Sequence, residues 1–362
     1  MSDETDKQSF NSDEFDASMA KSYIKQAQSE LSYPIVDENS SVQLLTATGQ
    51  FYVMDVDDKY IVRFPKEHSL NNGNSQSLEE LKEESKITKS ILPYINKTKI
   101  SDISVLDGAR PFAVHEKIKG DKLTKKDFNL LTDEQKNLYA KDLAVFLAEL
   151  HAVPIDKTNL PDRKDLLFNN TAENQATLNK YGLSLHQDVP QNNDLVCCHN
   201  DMHAGNVGVD LNKQHILQGV FDFGMCGLAE RSGDFYKIFD FDKTLCKDVI
   251  EQYNKISPQK VNLHSVENQY LSWCATNIRM AEGKHPQIVS AVEAKLQDFK
   301  QYQSTNNRLN AVRNKLHEKS VSSKSIAELR GLKSPTTSPY KPQKTSVNSG
   351  YLKLFQDKKQ NG

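Results

Sequence analysis

The hydrophobic pattern of this chain changes once along its length, from the spacing of strands to the spacing of helices. Three short apolar runs, SVQLLT, FYVMDV and YIVRF, lie within residues 41–64, separated by the turn-like segments ATGQ and DDK. A segment with helical spacing follows and ends at Pro93, and residues 103–106 and 112–115 again have strand character. The first part of the chain is therefore predicted to contain about five strands and one helix.

From about residue 120 onward the pattern is mostly helical. Thr132 and Gln135 have the spacing of a capping box, which predicts a helix that runs to about His151. Further helical patterns cover residues 233–254, 264–282 and 286–316. This order predicts an α+β fold in two lobes, a small antiparallel sheet with one helix followed by a mostly helical part. The predicted boundaries of the two lobes are 23–116 and 117–316.

Both ends of the chain have the composition of tails. Residues 1–22 are acidic, and residues 317–362 are basic and rich in Ser, Thr and Pro. Such segments bury too little apolar surface to offset the entropy cost of ordering them, so both are predicted to be disordered. The basic tail is also a candidate docking segment for a protein partner.

Composition excludes several classes of protein. The net charge of the 362-residue chain is -2, which argues against a nucleic-acid partner. No apolar run is long enough for a membrane span, and the polar N-terminus does not resemble a secretory signal. Five cysteines without a CxxC pair predict reduced thiols and a cytoplasmic protein. A secreted effector whose basic tail is a targeting signal is the alternative.

The densest polar cluster is CCHNDMHAGN, at residues 197–206. Apolar, strand-like residues flank it, and a further strand pattern delivers Asp222 in the segment GVFDFG. The pattern predicts a hairpin-like pair of strands that presents Asp201, Asn206 and Asp222 on connected loops. Phosphoryl transfer needs a carboxylate that accepts the proton of the attacking hydroxyl, and hard oxygen ligands that hold Mg²⁺ against nucleotide phosphates. Asp201 suits the first role, and Asn206 and Asp222 suit the second.

Two histidines in this cluster have an alternative interpretation. His199 and His203 are four residues apart, as in zinc-binding helices, but Asn200 stands where the zinc motif has Glu, and Gly205 disfavours a continuous helix. A zinc site is therefore the less favoured reading. We expect His199 to support the loop through hydrogen bonds.

At these residues the sequence resembles the aminoglycoside phosphotransferase family, the small-molecule kinase branch of the protein-kinase-like fold. HNDMHAGN resembles the catalytic loop of that family, and GVFDFG resembles its metal-binding segment. Residues 57–66, 117–124 and 131–153 resemble its third strand, its hinge exit and the helix that follows. The resemblance covers residues from about 40 to about 285 and implies ATP or GTP as the phosphoryl donor.

The resemblance also implies roles for residues outside these two motifs. Arg63 stands where the family usually has a phosphate-binding lysine, and Glu84, or its neighbour Glu83, would pair with it. The remaining implied groups are the phosphate loop Thr46 to Gln50 with Gly49, the purine-binding hinge His115 to Ile118 with Glu116, and the bracing pair Gly233 and Asp234. Arg63 in place of lysine keeps the charge but changes its geometry.

Three functions compete. The first is a Mg²⁺-dependent phosphotransferase that moves the γ-phosphoryl group of ATP or GTP to a hydroxyl of an aminoglycoside, sugar or amino alcohol. The second is a kinase of a protein or a lipid headgroup, and the third is a nucleotide-binding scaffold without catalysis. The candidate acceptor stretch, 230–282, mixes acids with Lys237 and two arginines, so it is less acidic than a site for polycations requires. Tyr270 and Trp273 in this stretch suit the core better than sugar stacking.

Overall fold

The computed structural model describes residues 15–31, 33–46, 50–66, 76–106, 110–163, 172–187 and 195–329. The chain divides into two compact units, residues 1–296 and 297–362. The candidate site and the predicted lobes up to residue 296 belong to the first unit, and residues 297–316 of the predicted second lobe belong to the second.

Ten strands are present in the described part of the chain. They are β1 (Val42–Thr46), β2 (Phe51–Val56), β3 (Tyr60–Pro65), β4 (Lys99–Ile100), β5 (Ile103–Leu106), β6 (Phe112–Glu116), β7 (Leu195–Cys198), β8 (Val207–Val209), β9 (Leu217–Val220) and β10 (Gly227–Glu230). Nine α-helices accompany them in the same residues. They are α1 (Ala17–Ala27), α2 (Gln76–Ile91), α3 (Lys125–Leu130), α4 (Asp133–His151), α5 (Ala172–Lys180), α6 (Tyr236–Phe241), α7 (Lys243–Ile256), α8 (Leu263–Ala281) and α9 (Pro286–Leu329).

The N-terminal sheet has five antiparallel strands in the order β1-β2-β3-β6-β5. The predicted small antiparallel sheet followed by a mostly helical part is confirmed. Successive side chains of a strand point to opposite faces of the sheet. In β3, Val62 and Phe64 are fully buried in the core on one face, so Arg63 projects from the other face. The alternation of β3 thus brings one arginine to the face that carries the candidate site.

Helix α1 covers the buried face of this sheet, and here the structure corrects the predicted disordered tail 1–22. Asp16 caps the helix, because its carboxylate accepts from the backbone N–H groups of the first turn. Phe15 packs against Tyr52 and Phe64, with ring centroids 4.7 and 5.1 Å apart. Ala20 is fully buried in the same cluster. A short apolar stripe was hidden by the acidic composition around it, and residues 1–14 lie outside the described part.

Helix α2 packs on the opposite face of the sheet. Leu81 forms a small core with Ile103 and Ala113. The hydroxyl of Ser85 donates a 2.5 Å hydrogen bond to the carbonyl of Ile103. These contacts fix the helix against β5, and its next turn carries Glu84 with only 4% of the side chain exposed.

Helix α4 begins as predicted at a capping box. The hydroxyl of Thr132 accepts from the backbone N–H of Gln135, and the Gln135 side chain accepts from the backbone N–H of Thr132. Helix α4 then runs to His151 and packs against α7. The predicted helix 131–151 is confirmed, and the pattern at 233–254 is divided between α6 and α7 by Asp242, which caps α7.

Two small sheets flank the polar cluster of residues 197–206. Strands β8 and β9 form the expected antiparallel hairpin, and β4 pairs in parallel with β9. Strand β7 pairs with β10. Gly120, with φ +101°, follows β6 and lies against this hairpin, where an added Cβ would be 2.7 Å from the backbone nitrogen of Val209. A glycine is required at this close approach.

The last helix continues beyond the boundary that was predicted at residue 316, since α9 reaches Leu329. No Pro or Gly interrupts residues 317–329, and the first is Gly331. Residues 330–362 lie outside the described part. All five cysteines are free and buried. Among the described residues, no helix is both long enough and apolar enough to span a bilayer.

Candidate active site

A buried carboxylate organises the loop that follows β7. Asp234 is fully buried and accepts the backbone N–H groups of His199 at 3.0 Å and Asn200 at 2.7 Å. The ring of His151 donates to the same carboxylate from Nε2 over 3.1 Å. Burial lowers the pKa of His151, although its hydrogen bond to Asp234 opposes the shift. Asn200 has φ 62°, so this turn needs the fixed support that Asp234 gives it.

His199 joins this loop to the segment before Asp222. Its Nδ1 accepts from the backbone N–H of Asp201 at 3.3 Å, and its Nε2 donates to the carbonyl of Phe221 at 3.1 Å. These two partners define the neutral tautomer with the proton on Nε2. Both ring nitrogens are therefore used inside the protein, as expected for a supporting histidine and unlike a zinc ligand.

The carboxylate of Asp201 is held by three side chains. Asn206 donates from Nδ2 to Asp201 Oδ2 over 3.1 Å and to its backbone carbonyl over 3.0 Å. His203 Nε2 lies 3.5 Å from Oδ2, and the ammonium of Lys237 contacts Oδ1. Burial by itself raises the pKa of Asp201, but the hydrogen bonds from His203 and Lys237 and the charge of Lys237 outweigh it, so the pKa lies well below its usual value.

Asn206 and Asp222 line one wall of a cleft between the sheet and the β8–β9 hairpin. The amide nitrogen of Asn206 is committed to Asp201, which leaves the amide oxygen for another partner. Asp222 stands at φ 68° and ψ 64°, a left-handed conformation that is unusual for a residue with a side chain. A hydrogen bond of 3.1 Å from the backbone N–H of Phe221 to the carbonyl of Asn206 ties the two positions together. This pair of hard oxygen donors has the chemistry that Mg²⁺ prefers.

Glu84 connects Arg63 to the segment that begins at Asp222. Its Oε2 lies 2.7 Å from Nη2 of Arg63, and its Oε1 accepts the backbone N–H of Phe223 at 3.1 Å. The side chain of Glu83 instead pairs with Arg163 at 3.0 Å, so the structure selects Glu84 over its neighbour as the partner of Arg63.

Arg63 keeps one donor that no protein group uses. Its Nε is buried and makes no hydrogen bond within the described part of the chain. The residue lines the cleft, and Glu84 pairs with its Nη2 but leaves Nε without a partner. A buried donor without a partner is costly, so an anionic oxygen in the cleft would stabilise this arginine.

The cleft has a volume of about 490 Å³ and is lined by residues of β1, β2, β3, α2, β6, the hinge and the β8–β9 loops. Ile118 lines it as expected, together with His115 and Lys117. Glu116 does not line it in the described structure. Its carboxylate pairs with Lys99 at 2.6 Å, and its carbonyl accepts from the hydroxyl of Ser101 at 2.7 Å.

The predicted role of Glu116 in nucleotide binding concerns the backbone groups of the hinge, so the position of its side chain does not decide it, and the role stays a prediction. The side chain of Glu116 points toward β4 and away from the cleft, because successive side chains of a strand alternate in direction. Gly49, the predicted glycine of the phosphate loop, lies outside the described residues.

Lys237 is the site residue that sequence reasoning missed. It had been counted only as one cation of the acceptor stretch, yet it contacts Asp201 directly. Its position three residues after Asp234 was the available signal, since α6 starts within this segment and turns Lys237 back to the loop.

The acids of the acceptor stretch are largely occupied by cations. Asp240 pairs with Lys295 at 2.6 Å, and Asp242 pairs with Lys125 at 2.5 Å. Glu267 contacts a histidine. Glu282 lies 4.0 Å from the ammonium of Lys180, and burial raises the pKa of Glu230. This stretch therefore presents paired acids rather than a free carboxylate lining.

Comparison with known proteins agrees with this geometry. Residues 41–257 match the model of a family described as the phosphotransferase enzyme family. Among solved structures, the GDP complex of wild-type aminoglycoside 2'-phosphotransferase-IIIa is similar to this chain, with a TM-score of 0.60 and 16% identity over 78% of this chain and 98% of that chain.

Two further structures are similar at the level of the fold. The streptomycin–ATP ternary complex of APH(2'')-IIa gives a TM-score of 0.54 and 20% identity, over 78% of this chain and 96% of that one. The macrolide 2'-phosphotransferase MphH from Brachybacterium faecium gives 0.53 and 13%, over 76% and 98%. The matched region contains both polar loops, the five-stranded sheet and the cleft between them.

Proposed function

Because the chain belongs to the phosphotransferase enzyme family, we propose that it is a Mg²⁺-dependent kinase that transfers the γ-phosphoryl group of ATP or GTP to a hydroxyl of a small molecule. One observation carries the proposal. Asp201 is hydrogen-bonded to Asn206, and Asn206 and Asp222 line the same cleft as Arg63 and Glu84. A base, two oxygen ligands and an anion-binding arginine are the groups that phosphoryl transfer requires.

The donor nucleotide is proposed to occupy the cleft. Two of the similar structures described above were solved with GDP or with ATP, and their folds match this chain. Arg63 offers its unpaired Nε and its charge to a phosphate oxygen, and Glu84 keeps the guanidinium in place from the other side. The base of the nucleotide would lie toward Ile118 and His115, at the hinge end of the cleft.

The residues of the cleft fit a magnesium ion. Asn206 has a free amide oxygen, and Asp222 is held in a strained conformation at the mouth of the hairpin, where its carboxylate lines the cleft. Mg²⁺ held by these two side chains would neutralise charge on the nucleotide phosphates. Glu84 supports this position through the backbone of Phe223.

Asp201 is proposed to accept the proton of the acceptor hydroxyl. Its carboxylate is ionised because its pKa lies below the usual range, and Asn206 and His199 fix the orientation of the loop. A carboxylate in this state orients the hydroxyl by hydrogen bonding and takes its proton as the new bond to phosphorus forms. The ammonium group of Lys237 places a positive charge beside Oδ1 of this carboxylate.

The acceptor is proposed to be a neutral or weakly charged hydroxyl compound, such as a sugar or a macrolide-like molecule. A polycation favours a cleft lined by free carboxylates, but Asp240 and Asp242 are paired with lysines, and Lys237 adds a cation at the base itself. Among the similar structures, one was solved with streptomycin and another is a macrolide 2'-phosphotransferase.

The test is a panel of acceptors with ATP and GTP as donors. Nucleotide turnover and phosphate incorporation are measured with neutral sugars, macrolides, aminoglycosides, amino alcohols, a protein mixture and phosphoinositide vesicles. Phosphorylation of a small-molecule hydroxyl supports the proposal. Labelling of only protein or lipid overturns the acceptor class, and nucleotide binding without turnover of any acceptor favours a scaffold.

The catalytic role is tested with Asp201→Ala beside Asp210→Ala, an aspartate on the loop that follows β8. Loss of a general base lowers turnover by about 10²-fold or more. We expect this loss for Asp201→Ala with nearly unchanged nucleotide affinity, and little change for Asp210→Ala. Equal activity of the two variants would remove Asp201 from the proposed role.

A further inference from the structure

Three potential metal ligands converge where α8 begins, and none of them lines the nucleotide cleft. They are His186, from the segment after α5, and His264 and Glu267, on the first two turns of α8. One ligand atom from each residue lies within 4.8 Å of the others. Side chains one helical turn apart face the same direction, so His264 and Glu267 present their ligand atoms together.

Two close contacts hold the side chains of this cluster together. Nε2 of His186 lies 2.8 Å from Oε2 of Glu267. The same nitrogen is buried, yet it makes no hydrogen bond within the described part of the chain. The imidazoles of His186 and His264 stack with their centroids 4.1 Å apart and their planes 4° from parallel. Because the lone pair of a ring nitrogen lies in the plane of the ring, the exposed His264 must turn out of this stack to bind the same ion as His186.

The cluster is held rigidly from behind by Asn268. Its Oδ1 accepts the backbone N–H of His186 at 2.8 Å, and its Nδ2 donates to the carbonyl of His186 at 3.0 Å. Asn268 is itself buried, with 4% exposed. The side chain of Gln175, on α5, accepts the backbone N–H of Leu185 at 3.2 Å. His186 therefore occupies one fixed position against α8, which is the preorganisation that a metal site needs.

From this arrangement we propose that His186, His264 and Glu267 bind one divalent transition-metal ion, with Zn²⁺ as the best match. Two imidazole nitrogens and one carboxylate oxygen form a common ligand set for zinc, with water as the fourth ligand. Glu267 is buried, and a divalent ion beside a buried carboxylate compensates its charge. His264 is exposed, so the site opens to solvent and an ion can enter it.

A second group of possible ligands does not carry the same inference. His151, Cys198 and Asp234 are buried, and the ring nitrogens of His151 are already bonded to Tyr253 and Asp234. Asp234 also accepts the backbone of the catalytic loop. An ion there would have to replace several of the bonds that shape the candidate active site. The cluster on α8 has no such conflict.

The bound ion would link the segment after α5 to the first turns of α8. Its role is structural, since it connects two stretches of chain that are about 80 residues apart, as the bonds between His186 and Asn268 already do. An ion that binds only the folded protein stabilises it by mass action. The proposal thus predicts a larger free energy of unfolding in the presence of zinc, independently of whether the chain phosphorylates any acceptor.

Binding is measured on the whole protein after treatment with a chelator, in excess Mg²⁺ to fill sites for hard cations. Zn²⁺ is titrated by calorimetry, and Co²⁺ is followed by its visible absorption. We expect one ion per chain, a cobalt spectrum typical of four-coordinate nitrogen and oxygen ligands, and a higher melting temperature with zinc. The absence of stoichiometric binding would overturn the proposal.

The site is located with His264→Ala, a change at an exposed residue that leaves the core intact. We expect the affinity for Zn²⁺ to fall at least 10-fold and the zinc-dependent rise in melting temperature to disappear. His186→Ala should do the same. The matched control is His215→Ala, because His215 pairs with Asp142 at 3.2 Å without a third ligand. Equal affinity in the wild type and both cluster variants would overturn the assignment.

Discussion

The ammonium group of Lys237 contacts the carboxylate of Asp201, and this contact sets the charge of the proposed base. Burial alone raises the pKa of a carboxyl group, because it disfavours the charged form. At Asp201 the hydrogen bonds from His203 and Lys237 and the charge of Lys237 outweigh that effect, and the pKa is lowered. The base is therefore ionised over the whole physiological range, at the cost of some basicity.

Replacing this lysine tests the contact. In Lys237→Met the pKa of Asp201 should rise, because its largest source of positive charge is gone, so the acidic limb of the pH profile of kcat/KM should move to higher pH. We expect kcat to fall by about 10-fold to 100-fold, since the contact that orients the carboxylate of the base is lost. Steady-state kinetics across a pH series measure both effects.

A matched lysine separates this effect from a general loss of charge. Lys255 pairs with Glu251 at 2.8 Å on α7, where both side chains are exposed. Lys255→Met should leave the profile unchanged, because a surface ion pair of this kind contributes little. If Lys237→Met kept both kcat and the wild-type profile, Lys237 would have no role at the base.

The second prediction compares two neighbouring acids on α2. Glu84 is nearly inaccessible and holds both Arg63 and the backbone of Phe223, whereas Glu83 is 45% exposed and pairs with Arg163. Glu84→Gln keeps the shape but removes the charge that fixes the arginine. We expect the nucleotide Kd to rise by about 10-fold, which corresponds to about 1.4 kcal/mol, with a matching loss of kcat.

Glu83→Gln is the control, and we expect less than a twofold change in nucleotide Kd. Calorimetric titration of each purified variant with ATP or GTP gives the comparison. A similar small effect from both variants would mean that the contact between Glu84 and Arg63 does not position the phosphates.

The third prediction concerns His115, which lines the cleft at the end of β6. Burial, reinforced by the charge of Arg63, lowers the pKa of His115 to about 4. The unfolded chain takes up a proton near the ordinary pKa of histidine, about 6.5. As the pH falls from about 6.5 to about 4, the unfolded state binds more protons than the folded state, so the free energy of unfolding falls.

This difference in pKa corresponds to a loss of up to about 3 kcal/mol over that interval. Urea unfolding at a series of pH values measures it. In His115→Gln the loss of stability between pH 7 and pH 4 should be smaller, whereas in His285→Gln, at an exposed position, it should match the wild type. Identical slopes in all three proteins would show that His115 titrates normally.

The fourth prediction compares two glycines with positive φ. At Gly120, φ is +101°, and an added Cβ would meet the backbone of Val209 at 2.7 Å. At Gly283, φ is +75°, but nothing lies within 4 Å of the added atom. Gly283→Ala should cost about 1 kcal/mol from backbone strain alone. Gly120→Ala should cost more, because the bridge between Asp121 and Val209 must also shift.

Denaturant unfolding of both variants gives the two free energies. The difference between these two free energies of unfolding is the stability contributed by the close approach between the hinge exit and β8. Equal costs would mean that the chain moves apart at Gly120 without penalty, and that the wall of the cleft is not fixed there.

Local pattern was enough to predict the elements that carry the site. The alternation in β3, the capping box at Thr132 and the spacing of Asp201, Asn206 and Asp222 are all set by neighbours in sequence. Each of these features follows from backbone geometry within a few residues. The strands themselves could therefore be predicted, but their order in the sheet, which depends on contacts between distant segments, could not.

The missed features depend on contacts between distant segments. Strand β4 has only two residues and exists because it pairs with β9, more than 100 residues later. The contact of Lys237 depends on where α6 begins relative to the loop after β7. The contacts of Glu116 with Ser101 and Lys99 likewise join residues that are not neighbours in sequence. Composition also hid α1, because the few apolar residues around Phe15 lie among acids.

The five buried thiols can be used to measure how often the helical part of this protein opens. Burial raises the pKa of Cys198 and Cys246 well above the usual value, and it raises that of Cys274 to about 12. The thiolate is the nucleophile that attacks an alkylating reagent, so the native protein should react very slowly. All five lie between β7 and α8, and none lies in the N-terminal sheet. The rate of alkylation thus measures how fast the thiols of the helical lobe become exposed, and it carries no information about the N-terminal sheet.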